Sequence, residues 1–346
     1  MNTHIQNHLE LILLPTEKCN FRCTYCYEDF LLGRMPRSVT DGVKNLLARR
    51  AKSGNLSHLS LSWFGGEPLL AKKVLLEIAE YAHKFYELGI FKEYKGSLTT
   101  NAYFLTLDTL KQLTAIRQRS FQITLDGYGD DHDLTRKQAD GSGSFNVVWS
   151  NLLAARDWVE GEFDFTLRLH ITEHSYLNIS RLCGEIAKEF GGDHRFKVFF
   201  KRIHNLGGPN KENIRNVPLG AASLVVNEAI AHLETAGVPY INGIKDNFES
   251  QVPVGAISIR RAGETSLLNK VASAPYICYA SKPNSFVVRS NGRLAKCTVA
   301  FSDPRNDIGY IDQNGSMHIA SDKAAYWTRG LLTGDHRTLG CPATDH

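Results

Sequence analysis

Short apolar runs alternate with longer stretches of helical period along most of the chain. The run at 9–14, closed by Pro15, predicts a buried strand, and the run at 59–64 predicts a second, ended by Gly65-Gly66-Glu67-Pro68. Between them, Thr40-Asp41 offers an N-cap for a helix running to about residue 52. A helix over 72–88 carries Val74, Leu75, Ile78, Ala82 and Phe85 near a 3.6-residue spacing, with Gly89 as its stop. The alternation continues with strands at 97–100, 121–125, 165–171 and 196–203, and helices at 107–117, 144–160 and 176–190. Six strands alternating with helices predict parallel βαβ units, hence an α/β barrel or an open doubly wound sheet. In either, ligands gather at the C-terminal ends of the strands.

The pattern breaks at 207–218, which is rich in Gly, Pro and Asn and marks a boundary. A helix over 221–236 follows, and 240–275 shows no clear period. From Cys278 onward the chain turns to short strands, where Asn291-Gly292 suits a two-residue hairpin between 286–289 and 293–296. The expected organisation is therefore a unit over 1–215, a connecting segment over 216–275 and a small C-terminal unit over 276–346. Residues 1–8 are polar and form a loose leader. At 346 residues the chain suits one large α/β unit with an appendage. Hydrophobic content of 42% and 22% charged residues are ordinary for a soluble enzyme. A net charge of +4, with Lys and Arg dispersed, argues against a nucleic-acid binder. With no signal peptide and no long apolar run, no membrane partner is expected, and the location expected is cytoplasmic.

Chemistry enters with the cysteines. Cys19, Cys23 and Cys26 form C-x3-C-x2-C just after the first strand, and in a reducing compartment such thiols serve as metal ligands. Three thiolates can hold three irons of a four-iron cluster and leave the fourth open. A zinc site would need a fourth ligand from elsewhere, and a disulfide would leave one thiol over. The thirteen histidines show no metal-binding spacing, and no G-x-S-x-G or Walker loop is present. Cys183 falls inside a helix and reads as a buried structural thiol.

The C-x3-C-x2-C run, with Tyr25 before its third cysteine, resembles the signature of the radical S-adenosylmethionine (radical SAM) enzymes. The resemblance implies a partial (β/α)6 TIM-type barrel and a [4Fe-4S] cluster bound with S-adenosylmethionine at its open iron. Reductive cleavage of that cofactor would then give a hydrogen-abstracting 5′-deoxyadenosyl radical. Gly65-Gly66-Glu67 is similar to the family's GGE motif, which lies beside the methionine amino group. Asn101, Thr124 and Arg136 are similar to its ribose- and carboxylate-contacting positions, and Asp126-Gly127, His132-Asp133 and Arg136 resemble a run of the sulfatase-maturase-like branch. The resemblance thus assigns Tyr25, Gly65, Gly66, Glu67, Asn101, Thr124 and Arg136 to cofactor binding, with no catalytic acid or base identified.

Cys278 and Cys297 frame the predicted hairpin as C-x13-G-x4-C, which resembles the opening of the family's SPASM or twitch extension, with Cys341 as a further ligand. This implies a small C-terminal iron–sulfur unit with at least one auxiliary cluster, either a short version or one cut within a longer chain. Enzymes of this layout mostly modify peptides. Sulfatase maturases carry an Asp directly after the second extension cysteine, whereas here Thr298 follows Cys297. The expected activity is therefore maturation of a ribosomally made precursor peptide, by crosslinking or epimerisation. A small-molecule dehydrogenase or cyclase and a formylglycine-forming maturase are the alternatives. The expected partners are the precursor peptide, a flavodoxin- or ferredoxin-type electron donor and, lacking an N-terminal precursor-binding domain, a separate leader-binding protein.

Overall fold

The computed structural model describes residues 7–244 and 276–343; the predicted leader up to residue 6 and most of the unassigned stretch within 240–275 lie outside them. One mixed sheet of eleven strands organises the described residues. Its parallel part is β1 (His8–Leu13), β2 (His58–Trp63), β3 (Glu93–Thr100), β4 (Gln118–Leu125), β5 (Asp164–Ile171), β6 (Phe196–Arg202) and β7 (Tyr240–Asn242), paired in that order. A sheet whose strands add in chain order never reverses its winding. Right-handed crossovers then place all connecting helices on one face, as in a barrel wall, where a doubly wound sheet would show a switch point. The α/β barrel-type expectation holds, with β7 added to the six strands predicted for this part.

Alternation within these strands has a direct consequence. In β1 the leucines at 9, 11 and 13 are buried, as are Phe121, Ile123 and Leu125 of β4 and Phe165, Leu167, Leu169 and Ile171 of β5. The intervening positions carry Glu10, Gln122, Thr124, Arg168 and His170, which line a cavity. Parallel strands covered on both faces are apolar on both. Here one face packs against helices, at about 1.5–3 kcal/mol for each large apolar side chain buried, while the other lines a polar lumen.

The C-terminal unit continues the same sheet. β8 (Ser285–Val288) pairs parallel to β1, and β9 (Arg293–Ala295), β10 (Gly309–Ile311) and β11 (Met317–Ile319) follow antiparallel. The two-residue hairpin expected at Asn291-Gly292 is in fact a three-residue loop. Gly292 N–H donates to Arg289 O and Arg289 N–H to Arg293 O, with Gly292 at φ +83°. This is a type I turn followed by a left-handed residue, which also favours glycine, so the dipeptide alone did not fix the loop length. A second correction concerns α1 (Arg37–Lys52), which starts three residues before the expected N-cap. Pro36 in extended conformation sets the entry, and the Thr40 hydroxyl bonds back to Pro36 O inside the helix. No described helix is long and apolar enough to cross a membrane.

Candidate active site

The cysteine loop leaves the C-terminal end of β1 and is held by backbone bonds along a second segment. Arg22 N–H donates to Lys137 O, Thr24 N–H to Thr135 O, and Ala139 N–H to Asn20 O. The loop after β2 presses on its stem from the other side. A Cβ on Gly65 would lie 2.3 Å from Thr16 O, and one on Gly66 would lie 2.4 Å from Lys18 O, while Glu67 N–H donates to Lys18 O. The glycines at this position allow backbone to approach backbone.

Glu67 is fully buried behind the cavity wall. Its carboxylate accepts from Asn101 N–H (2.7 Å), the Thr100 hydroxyl (2.8 Å) and Leu69 N–H (2.9 Å), which ties the loop after β2 to the end of β3. Burial pushes its pKa up to about 7 against the pull of these donors. Asn101 turns its amide toward Asn20 Oδ1 (2.9 Å) and the Cys19 sulfur (3.8 Å).

Tyr25, inside the cysteine loop, is the hub of a buried polar network. Its hydroxyl donates to Asp126 Oδ2 (2.7 Å), accepts from Arg136 Nη1 (2.7 Å) and lies 3.1 Å from His170 Nδ1. Thr135 also donates to Asp126 Oδ2 (2.6 Å). Hydrogen bonding to His170 and the Arg136 charge hold Asp126 well below the usual carboxylate range in spite of its burial. The His132-Asp133 pair serves structure. His132 is completely buried, with Nδ1 3.4 Å from Asp126 N, and Asp133 Oδ1 accepts from Ser144 and Phe145 N–H at the start of the helix Phe145–Asp157.

Six of the seven cysteines line one cavity of about 840 Å³: Cys19, Cys23 and Cys26 from the cysteine loop, and Cys278, Cys297 and Cys341 from the C-terminal unit. Tyr25, Gly65, Gly66, Asn101, Thr124 and Arg136 line it too. Cys183 is the exception, buried in the helix Ile179–Phe190, where burial pushes its thiol up. Burial likewise pushes Cys19, Cys26 and Cys278 up to about 12. Among the described residues no three such side chains converge on one point as they would around a single metal ion. Cluster ligation needs thiolates spread over several irons, and a soft, all-sulfur donor set facing one cavity fits iron–sulfur groups. Metal binding would displace the thiol protons.

The two units are joined beside the cysteine loop. Glu17, fully buried, accepts from Arg289 Nη2 (2.6 Å) and Nε (3.2 Å) and from Ser290 N–H (3.3 Å) in the hairpin turn. Sequence reasoning missed this pair, along with Tyr27, Glu28, Arg168 and His170. The polar alternation of the strands was the available signal for the last two.

Residues 13–175 match the model of the radical SAM superfamily. Among curated proteins, the chain is 25% identical over 213 residues to a cysteine-type anaerobic sulfatase-maturating enzyme of Clostridium novyi, covering 59% of this chain and 54% of that one. A second such enzyme, from Clostridium perfringens, is 26% identical over 185 residues, 50% of this chain and 47% of that one. The chain thus spans about half the length of these relatives. Among solved structures, anSMEcpe with bound AdoMet superposes with a TM-score of 0.61 at 19% identity, covering 92% of this chain and 80% of that one. Streptococcus suis SuiB bound to precursor peptide SuiA gives 0.58 at 16% identity, covering 90% and 63%. At these identities the likeness concerns the fold.

Proposed function

The chain carries a radical SAM domain, and from this we propose that it is a peptide maturase, abstracting hydrogen from a ribosomally made precursor peptide to install a carbon–carbon or thioether crosslink or to epimerise a residue. The observation that carries this reading is the single cavity on which six thiols from both units open. Its volume of about 840 Å³ suits a cofactor together with a substrate side chain. Structures of similar fold have been solved with peptides bound, anSMEcpe with the Cp18Cys peptide and SuiB with SuiA.

When bound, the [4Fe-4S] cluster and S-adenosylmethionine supply a 5′-deoxyadenosyl radical. Cys19, Cys23 and Cys26 would hold the cluster, and Cys278, Cys297 and Cys341 an auxiliary one. Gly65 and Gly66 would offer backbone to the methionine end of the cofactor, with Asn101, Thr124 and Arg136 as its polar contacts. In this reading Glu67 positions that strand-end loop, and Tyr25 sets the Arg136 guanidinium through its hydroxyl. The electron donor would be of flavodoxin or ferredoxin type, and the leader peptide would be presented by a separate protein.

Formylglycine formation is the second reading, favoured by the names of the curated relatives. Against it, Thr298 follows Cys297, and its hydroxyl is spent on Tyr279 (2.9 Å) within the protein. Co-expression with short peptides encoded next to the gene for this chain, as candidate precursors, followed by mass spectrometry, separates the readings. Loss of two hydrogens indicates a crosslink, and retained mass with deuterium uptake from heavy water indicates epimerisation. An unaltered precursor together with a converted sulfatase cysteine would overturn the proposal in favour of formylglycine.

A further inference from the structure

The charges around the lumen are not paired evenly. Most carboxylates there are already taken by protein partners. Asp126 is held by Tyr25 and Thr135, Glu67 by Thr100 and Asn101, and Glu17 by Arg289, while Glu10 lies 3.5 Å from Lys282. Glu28 is the exception, its Oε1 buried without a hydrogen-bond partner among the described residues, but it stands toward the C-terminal unit, in the field of Glu17 and Arg289. The wall formed by β5 and β6 is different. Arg168 projects into the cavity from β5, its guanidinium 5.8 Å from the Phe199 ring of β6, and its Nε is closed off from solvent with no acceptor among the described residues. Arg136 also has a buried Nε without an acceptor, but its Nη1 is held by the Tyr25 hydroxyl, whereas a polar group cut off from water as Arg168 is would normally be satisfied. A planar guanidinium fork is the side chain best shaped for a carboxylate.

We propose that Arg168 receives a carboxylate of the peptide substrate, an Asp or Glu side chain. S-adenosylmethionine also carries a carboxylate, but the residues proposed for it stand at the ends of β2, β3 and β4 and on Arg136. Arg168 is the register partner of Thr124 on the next strand, so the two carboxylates would lie side by side, with Arg136, set by Tyr25, taking the cofactor's and Arg168 the substrate's. The anchored substrate carboxylate would thus fix which residue of the peptide reaches the centre. This assignment rests on the peptide-maturase reading.

The test uses the full chain, anaerobically reconstituted with iron and sulfide and saturated with S-adenosylmethionine. Two blocked tripeptides, acetyl-Gly-Glu-Gly-amide and acetyl-Gly-Gln-Gly-amide, are titrated and observed by saturation-transfer NMR. The wild type is expected to bind the acidic probe about tenfold or more tighter, in line with a charge-assisted hydrogen bond. Arg168→Gln removes that preference, and Arg168→Lys, which keeps charge but not the fork, retains part of it. Circular dichroism establishes that the variants fold, and equilibrium dialysis reports their affinity for S-adenosylmethionine. Equal binding of the two probes by the wild type, or binding of neither, overturns the proposal. So does an Arg168→Gln variant that keeps the preference, or one whose defect lies in S-adenosylmethionine affinity alone, since the anion would then be the cofactor's. Failure of the peptide-maturase reading is read separately, from the mass of the co-expressed precursor.

Discussion

Asp126 concentrates the site's electrostatics in one buried carboxylate. It orients Tyr25, and through the Tyr25 hydroxyl it orients Arg136. It also keeps company with two histidines, His132 and His170, whose pKa values burial lowers to about 4. Their ordinary value is near 6.5, so between about pH 6.5 and pH 4 the unfolded chain binds protons that the folded chain refuses. Stability is therefore fully present above pH 6.5 and is lost as pH falls toward 4. For His132 alone the loss between pH 7 and pH 5 is about 2 kcal/mol. Urea unfolding of the metal-free protein at the two pH values measures it. The wild type is expected to weaken at pH 5, and His132→Gln to show a smaller pH dependence by roughly that amount. An unchanged dependence in the variant would mean that His132 is protonated in the folded protein.

The cysteine loop owes its shape to neighbours on both sides, the 135–139 segment and the loop after β2. Gly66 is the position to test, because its φ is open to any residue and a methyl there would meet the backbone carbonyls of both Lys18 and Glu17. Gly66→Ala is expected to cost about 1–3 kcal/mol through overpacking and to lower the iron retained after reconstitution. Chemical iron analysis alongside a thermal melt checks both, and full iron content with an unchanged melt would contradict the backbone approach described above. This contact also marks the limit of what the chain's pattern reveals. The three-cysteine spacing and the glycine pair are local, so they were legible along with the strands and helices around them. The partners of Gly66, Glu67 and Glu17 lie on other elements, and Glu17–Arg289 joins residues 272 positions apart. Local pattern carries no record of such pairings. The three-residue hairpin and the early start of α1 were misjudged for a related reason: a turn dipeptide or a capping residue is permissive, and its surroundings decide.

Across the whole molecule, the sheet brings two cysteine sets to one cavity because β8 pairs directly with β1, the strand that leads into the cysteine loop. The Glu17–Arg289 pair then fixes the hairpin against that loop; a buried ion pair of this kind adds more to geometry than to stability. The fold class was legible because strand–helix alternation leaves few parallel topologies. The polar lumen was not, since the apolar and polar alternation of β4 and β5 marks a polar face without saying what that face encloses. The account depends above all on the three loop cysteines generating radical chemistry from S-adenosylmethionine. The direct measurement is 5′-deoxyadenosine released by the anaerobically reconstituted full chain with S-adenosylmethionine, dithionite and precursor peptide. Release by the wild type and its loss in Cys23→Ala is the expected result, while an iron-loaded wild type that releases none, or a Cys23→Ala variant that releases as much, would contradict it.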